Sequence, residues 1–432
     1  MNDFCLAPWT HTYISPQGER RLCCASREPA QNFKQYIDTD AGTGAFQPLT
    51  LKEWWNSEHV KSIRSKWLQG QIPDACEVCD KKLLNTNVYK DYFGHLFGHL
   101  RQQAIDSTDA DGHTTMEPIS WDYRYSNICN FKCRMCGDML SSSWESEAVN
   151  NQMVDLNNPK NNWLKPNNRQ LIKEFVSNTV VPEFMNAVEA KSVREIYWVG
   201  GEPLLYPEHW QAMRRIIDLD YADQVKVRYN TNLSQINYKG SNLYDLLDRY
   251  QHWEICASLD GTRSIGEYIR TGLDYSSWLA NFKMGMERQK SRRQMRIDFT
   301  LTLPGMVEIP RIVHLARELD VYLLSKVVFA FSNDIALSPL ALPRGILIAW
   351  IEHIQEQIKP MINSNTKSMW DLLEQLKTRQ TFTEQYGAVQ AANGIAKGKQ
   401  HLLKLEQIRS HELTMDSILA EFDMAQAWWR SI

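Results

Sequence analysis

The stretch Cys129-Asn130-Phe131-Lys132-Cys133-Arg134-Met135-Cys136 places three cysteines at C-x3-C-x2-C spacing. It directly follows an apolar, strand-like run at residues 119–125. Three thiolates on one short loop can bind three irons of a cubane 4Fe-4S cluster, because soft sulfur ligands select iron-sulfur clusters or zinc. Three ligands leave the fourth iron open to a chelating cofactor. A zinc knuckle can share this spacing, so the other motifs must decide between the two.

Length and composition indicate a globular chain of two or three domains, with 432 residues of which 43% are hydrophobic. No run approaches the ~18 apolar residues of a membrane span. The start of the chain lacks the basic and apolar regions of a signal peptide, so we predict a cytoplasmic protein without membrane contact. The net charge of -3 disfavours nucleic acid as a partner. Nine cysteines in a reducing compartment favour cluster or metal binding over disulfides.

The N-terminal region contains a second group of cysteines. A Pro-Gly turn at residues 15–18 predicts a hairpin, and Thr50-Leu51-Lys52-Glu53 is a capping box that should start a helix running through Trp67. A C-x2-C pair follows that helix. The four cysteines with a route to one tetrahedral sulfur site are Cys5, Cys23, Cys76 and Cys79. The same ligands suit either 4Fe-4S or zinc.

From residue 119 onward, short apolar strands alternate with longer helical stretches, which predicts parallel βα units. The six predicted strands are residues 119–125, 195–199, 224–230, 253–259, 296–303 and 326–331. Six right-handed units form an open, partial (β/α)6 barrel, whose ligands gather at the carboxyl ends of its strands. We therefore predict an α/β chain with four parts: a Cys-rich domain at 1–85, a connector at 86–117, the partial barrel at 118–335 and a helical extension at 336–432.

Candidate ligand-binding motifs follow three of these strands. Gly200-Gly201-Glu202-Pro203 follows the second strand, where glycines let the backbone approach a ligand and Glu202 can accept hydrogen bonds from an ammonium. Asn230-Thr231-Asn232 follows the third strand. Ser258-Leu259-Asp260-Gly261 follows the fourth, with Arg270 beyond it, and a guanidinium matches a carboxylate in two hydrogen bonds.

In this order, the cysteine loop and the three motifs resemble the radical SAM superfamily. The resemblance implies that Cys129, Cys133 and Cys136 are the catalytic cysteines and hold a 4Fe-4S cluster, and that S-adenosylmethionine (SAM) fills the open iron. It implies that Glu202 lies at the methionine amino group and Arg270 at the carboxylate. The residues assigned to SAM are Met135, Gly200, Gly201, Glu202, Pro203, Asn232, Ser258, Asp260 and Arg270. Met135 stands where an aromatic residue near adenine is common.

Residues 1–82 resemble the auxiliary-cluster domains called SPASM and twitch, through C-x12-G-x4-C around Gly18, the Leu-Lys-Glu-Trp-Trp-Asn-Ser helix and the C-x2-C pair. The domain precedes the predicted barrel, whereas in the families that it resembles it usually follows. Asn85 stands at the position expected for a cysteine of a second cluster. The resemblance implies one auxiliary 4Fe-4S cluster on Cys5, Cys23, Cys76 and Cys79, with structural zinc as the alternative. The spacing favours Cys23 over Cys24.

By this resemblance the chain is an oxidoreductase-type enzyme. It would reductively cleave SAM to a 5'-deoxyadenosyl radical and abstract hydrogen from a substrate, with an electron donor such as flavodoxin or ferredoxin. A peptide or protein side chain is the first choice, for oxidation, cross-linking or epimerisation. An aminosugar-like small molecule is the alternative. A non-catalytic zinc scaffold is the alternative of another class. Cys256 fits core packing or hydrogen-atom donation, and substrate, net reaction and oligomeric state stay open.

Overall fold

The structure is a computed structural model that describes residues 4–26, 48–77, 79, 88–327, 335–410 and 412–432. Its strands are β1 (His11–Ile14), β2 (Arg20–Arg21), β3 (Ser120–Tyr123), β4 (Lys132–Cys133), β5 (Glu195–Trp198), β6 (Lys226–Thr231), β7 (Asn237–Tyr238), β8 (Ser241–Asn242), β9 (His252–Ser258), β10 (Arg270–Thr271), β11 (Met295–Leu301) and β12 (Tyr322–Val327). In the described ranges, no helix has both the length and the apolar character needed to cross a membrane.

The helices fall mostly between strands and after the last strand. They are α1 (Ala7–Thr10), α2 (Leu51–Trp55), α3 (Glu58–Leu68), α4 (Val88–Phe97), α5 (Arg101–Asp106), α6 (Ser142–Asn150), α7 (Pro166–Phe175), α8 (Val181–Glu189), α9 (Pro207–Asp218), α10 (Leu243–Leu247), α11 (Arg263–Ile269), α12 (Tyr275–Arg288), α13 (Ile309–Glu318), α14 (Arg344–Ile358), α15 (Lys367–Thr378), α16 (Phe382–Tyr386), α17 (Ala388–Arg409), α18 (Met415–Leu419) and α19 (Asp423–Ser431). Contacts divide the chain into two compact units. The first contains residues 1–128, 145–228 and 245–253, and the second contains 129–144, 229–244 and 254–432.

The first unit contains the order β5-β3-β1-β2. Strand β3 pairs in parallel with both β5 and β1, and β1 pairs antiparallel with β2, which confirms the predicted hairpin. One side of this sheet buries aromatic rings, because alternate strand residues point to the same face. Trp121, Tyr123 and Trp198 surround Phe184 of α8 with ring centroids 5.5 to 6.4 Å apart.

The N-terminal Cys-rich domain has its own core in the first unit, which includes Trp9, Trp54 and Trp67. The capping box at residues 50–53 is confirmed, but the predicted single helix is two, because Asn56 ends α2 and the Ser57 side chain caps α3. Buried Arg64 links this break to α1: its guanidinium donates to the Pro8 carbonyl and to Asn56 Oδ1, each at 2.8 Å. Burial lowers the pKa of Arg64 to about 9.

The second unit contains β9, β11 and β12, which pair in parallel in the order β12-β11-β9. Helices α11 to α19 belong to this unit, and α14 to α19 form the predicted helical C-terminal region. Stacked rings of Trp350 and Phe422, 4.9 Å apart, join the α14 helix to the segment before α19. Mostly parallel strands and interspersed helices confirm the α/β class in each unit.

The predicted strands agree with the observed ones except for the last. Strand β12 begins at Tyr322, four residues before the predicted start, and residues 328–331 of that prediction lie outside the described residues. The displacement has a local reason: Tyr322, Leu323 and Leu324 pair with consecutive residues of β11, so the ladder starts early. The domain boundary at residue 85 also lies outside the described residues, and the four domain ranges stay a prediction.

Candidate functional site

Four cysteine side chains of the first unit surround one small cavity of about 20 Å³. They are Cys5, Cys23, Cys76 and Cys79, and the rest of the lining is Ala7, Leu22, Ser26, Trp67 and Tyr89. Burial raises the pKa of Cys5 to about 12, and burial together with neighbouring thiols raises the pKa of Cys23 well above its ordinary value. These sulfurs would therefore need a bound cation or cluster to stay deprotonated.

Both zinc and a cubane cluster take four thiolate ligands, which this cavity supplies. Zinc binds sulfur at about 2.3 Å with all four sulfurs around one ion. A cubane places each thiolate on a separate iron. The four thiols therefore fit a 4Fe-4S cluster, and zinc is the alternative that takes the same ligands.

Cys24 differs from Cys23 in its surroundings. It is not part of the lining of the four-thiol cavity, and its thiol is hydrogen bonded to the Tyr89 hydroxyl. Burial raises the pKa of Cys24, with the Asp122 carboxylate acting in the same direction. The geometry thus favours Cys23 as the fourth ligand, in agreement with the spacing argument.

The three-cysteine loop of the second unit is held by its own hydrogen bonds. Strand β4 pairs antiparallel with β10, which sets Cys133 opposite Arg270. Ser143 Oγ donates to the Cys129 carbonyl at 2.8 Å, and Arg409 Nη1 donates to the Lys132 carbonyl at 2.7 Å. These contacts fix the backbone at Cys129 and directly before Cys133, and they pre-organise the loop before any ligand binds.

Hydrogen-bond donors approach two of the three sulfurs. Cys129 Sγ accepts from the Phe131 amide at 3.4 Å and from Asn232 Nδ2 at 3.9 Å, while Cys133 Sγ accepts from Arg270 Nη1 at 3.7 Å. The pKa of Cys133 is lowered, chiefly by a hydrogen bond from Cys136, whose own pKa is raised. Donors aimed at sulfur stabilise thiolates and tune the potential of a cluster that they hold, so the loop fits a 4Fe-4S cluster.

Arg270 is paired with a buried carboxylate. Its Nε lies 2.7 Å from Asp260 Oδ2, and the other oxygen, Asp260 Oδ1, accepts from the Thr300 amide at 2.7 Å. Asp260 is fully buried, so burial raises its pKa, while the attraction of Arg270 opposes that shift. The Asp260 carboxylate thus holds the Arg270 guanidinium next to Cys133. The remaining N–H groups of Arg270 therefore point in a fixed direction.

Three further predicted cofactor residues lie in the second unit. Asn232 donates to Asn130 Oδ1 at 3.0 Å, which ties the segment after β6 to the cysteine loop. Ser258 ends β9 and is half-buried, and Met135 is half-buried within the cysteine loop. The structure therefore places Asn232, Met135 and Arg270 on or against the cysteine loop, and Ser258 two residues before Asp260.

The Gly-Gly-Glu-Pro turn lies in the first unit, directly after β5. Gly200 has a φ of 130°, and a side-chain carbon at Gly201 would lie 2.2 Å from the Ile128 carbonyl oxygen. That same oxygen accepts from the Glu202 amide at 2.7 Å, and Glu202 Oε1 accepts from the Leu204 amide at 3.1 Å. The turn is therefore fixed against the residues that lead into Cys129, and only glycine fits at position 201.

Two supporting residues of the loop carried no motif signal. Arg134 is fully buried; its Nε donates to the Tyr268 carbonyl at 2.9 Å and its guanidinium lies 3.7 Å from the centre of the Tyr268 ring. From the sequence alone, a basic residue between two cysteines would be expected on the protein surface. Its role depends on Tyr268, which is 134 residues away, so no local pattern could indicate it.

Comparisons with known proteins match the two cysteine-containing regions of the chain to two families. A model of the radical SAM superfamily matches residues 123–316, and a model of the SPASM iron-sulfur cluster-binding domain matches residues 5–80. No curated protein matches the chain. Among solved structures, Streptococcus suis SuiB bound to S-adenosylmethionine is similar at 15% identity and a TM-score of 0.36, over 70% of this chain and 60% of that chain.

A second solved structure, SuiB bound to precursor peptide SuiA, is similar at 14% identity and a TM-score of 0.36, over 71% of this chain and 61% of that chain. The chain thus spans less than two thirds of the length of these relatives. The two family matches confirm the predicted resemblance and imply 4Fe-4S clusters and SAM as cofactors. Residues 123–316 belong to the radical SAM superfamily, and they follow an N-terminal iron-sulfur cluster-binding domain of the SPASM family.

Proposed function

We propose that this chain is a radical SAM enzyme in which Cys129, Cys133 and Cys136 hold the reactive 4Fe-4S cluster. The observation that carries the proposal is the set of N–H donors aimed at Cys129 and Cys133, with Arg270 locked beside Cys133 by Asp260. When bound, the cluster and SAM supply a 5'-deoxyadenosyl radical that removes hydrogen from a substrate.

The residues around the loop would bind and orient SAM. Arg270 would donate to its carboxylate, and Asp260 would keep that guanidinium from rotating away. Glu202 would accept from the ammonium group, at a turn where glycine allows close backbone approach. Asn232 and Ser258 would contact the ribose, and Met135 would contact the adenine through its polarisable sulfur.

The auxiliary site favours an oxidative reaction. All four irons of a second cluster would have a cysteine ligand, from Cys5, Cys23, Cys76 and Cys79. No iron of that cluster would then be open to bind substrate. Such a cluster suits electron transfer, so oxidation or cross-linking fits better than a redox-neutral rearrangement. By family resemblance we propose a peptide or protein side chain as substrate, and a small molecule is the competing choice. The flavodoxin or ferredoxin donor and the cytoplasmic location stay predictions.

Metal content and SAM cleavage test the proposal. Protein purified without oxygen should contain about eight irons and matching sulfide, and the triple alanine variant of Cys129, Cys133 and Cys136 about four. With reductant and SAM, only the wild type should produce 5'-deoxyadenosine. Cys256→Ser is the matched control, because it removes a buried cysteine outside both predicted clusters and should keep all eight irons.

Two results would contradict parts of the proposal. If the protein contains about four irons and about one zinc, the radical SAM activity would still be supported, but the N-terminal site would be a structural zinc site instead of a second cluster. Protein without iron that leaves SAM intact would refute the enzyme and favour a zinc scaffold.

A further inference from the structure

Helix α17 of the C-terminal region lies outside the residues that the two family models match, which are 5–80 and 123–316. Its last turn nevertheless contacts the cysteine loop, and both belong to the second unit. Two of its residues carry charged side chains toward that loop, Glu406 and Arg409. They are three residues apart, so they lie on the same face of the helix.

Arg409 bridges the two strands of the small ladder that carries the cofactor residues. Its Nη1 donates to the Lys132 carbonyl of β4 at 2.7 Å and to Thr271 Oγ1 of β10 at 3.3 Å. In the same ladder, Cys133 of β4 is the register partner of Arg270 of β10. One guanidinium thus joins the strand of a cluster ligand to the strand of the proposed partner of the SAM carboxylate.

This ladder needs such outside support. Strands β4 and β10 have two residues each and form a sheet of their own, separate from the strands of the larger sheet. An isolated two-stranded ladder is only marginally stable in water. Contacts from other elements must therefore hold its two strands in register.

Glu406 reaches the other side of Cys133 through a tyrosine. Its Oε1 accepts from the Tyr268 hydroxyl at 2.5 Å and from the Met415 amide at 2.6 Å. Tyr268 is 1% exposed, and its carbonyl and ring hold the buried side chain of Arg134. Because Arg134 directly follows Cys133, helix α17 supports the backbone on both sides of this cysteine.

A third contact fixes the helix itself near the loop. The ring of His401, two turns before Arg409, stacks on Trp144 with centroids 5.9 Å apart. Trp144 follows Ser143, whose hydroxyl donates to the Cys129 carbonyl. The last turns of α17 are therefore held at two places along the loop, which lets Arg409 and Glu406 act from a rigid support.

We propose that Arg409 and Glu406 are positioning residues that align Cys133 with Arg270, so that the C-terminal region completes the SAM site. This inference rests on the proposed radical SAM function and extends its site beyond the matched residues. SAM would have to reach both the cluster and Arg270, so the register of β4 with β10 would set its affinity. Neither positioning residue would touch SAM.

The first test replaces Arg409 by Met, which keeps an apolar stem and removes both hydrogen bonds. Anaerobic protein is compared with wild type by iron content, equilibrium dialysis of SAM and EPR spectra of the reduced clusters. The variant should keep about eight irons and bind SAM about 10-fold more weakly, the change expected for one hydrogen bond from a charged group. The spectral change that SAM causes should also be smaller, even at saturating SAM.

Lys397→Met is the matched control, because it removes a positive charge from an exposed position of the same helix. It should alter neither SAM affinity nor the spectra. Arg409→Lys keeps a charged donor without the planar fork, so it should restore part of the lost affinity.

A second test separates the path through Glu406. Glu406→Ala and Tyr268→Phe remove the two partners of one hydrogen bond, so each should weaken SAM binding. The double variant should lose less affinity than the two single losses combined, since both act through the same contact.

Wild-type SAM affinity and spectra in Arg409→Met would overturn the inference, as would an equal loss in Lys397→Met. Melting curves and iron content identify a variant that fails to fold or to hold its clusters. Arg409→Lys and Tyr268→Phe then decide, and unchanged SAM affinity in both would show a merely structural contact. A wild type that holds iron but binds no SAM contradicts the radical function itself. One that cleaves SAM, with all these variants unaffected, contradicts only the positioning role.

Discussion

Replacing Asp260 by Asn should destabilise the second unit and weaken SAM binding together. Asparagine has the same shape but leaves the charge of Arg270, whose side chain is 10% exposed, without its partner 2.7 Å away. Breaking a buried ion pair from one side costs about 3–5 kcal/mol. Because asparagine can still accept from the Thr300 amide, we expect about 3 kcal/mol. For a unit of this size that corresponds to a fall in melting temperature of about 6–12 °C.

Scanning calorimetry of wild type and variant measures the stability change, and equilibrium dialysis measures SAM binding. Asp416→Asn is the control, because Asp416 pairs with Arg430 at the same 2.7 Å but with both side chains well exposed. Exposed pairs contribute little, so its melting temperature should hardly move. Equal temperature shifts in the two variants would refute the burial argument. A large shift with unchanged SAM affinity would show that Asp260 does not position Arg270 for SAM.

Three other changes test the fold around the site. Gly201→Ala should lower iron content and SAM affinity because the added carbon overlaps a backbone carbonyl, whereas Gly137→Ala, with no atom within 4 Å, should not. Burial lowers the pKa of His209 to about 3, so between about pH 6.5 and 3 the unfolded state binds more protons than the folded state. The free energy of unfolding should therefore fall as the pH drops through that window. His209→Gln should reduce this pH dependence, as measured by thermal unfolding at a series of acidic pH values. Glu183→Gln should lower the melting temperature by several degrees, since it leaves the charge of buried Arg20 without its partner, whereas Arg20→Lys, which keeps a positive charge beside Glu183, should lower it by less.

The cysteine loop, the strand-end motifs and the α/β class could be predicted because each depends on residues close in sequence. The C-x3-C-x2-C spacing and the Gly-Gly-Glu-Pro turn are local patterns with local chemistry. The split between α2 and α3 was missed because Ser57 caps a new helix within a continuous apolar pattern. Strand β12 was misplaced because its start is set by pairing with β11, and apolar content alone does not reveal pairing register.

Partners that are distant in sequence could not be predicted. Asp260 contacts Arg270 and the Thr300 amide, and only the folded register brings these residues together. Asp298 of β11 and Lys326 of β12 form an ion pair between two strands whose contact no single segment encodes. Such side chains become visible only when the strands are aligned, since strand alternation gives the face of a residue but not its neighbour.

The parallel pairing of β1 with β3 has a consequence for how the chain folds during its synthesis. His11 and Ser120, 109 residues apart, are register partners, so β1 leaves the ribosome long before its partner strand exists. Long-range parallel pairing is slow to form, and until then the edge of β1 is open to wrong partners. Conversely, a shortened chain that begins at residue 118 would leave the edge of β3 uncovered. The N-terminal domain therefore has two roles: it supplies the ligands of a cluster, and its strand β1 covers the edge of β3. We expect the radical SAM region to need this strand in order to stay soluble while it folds.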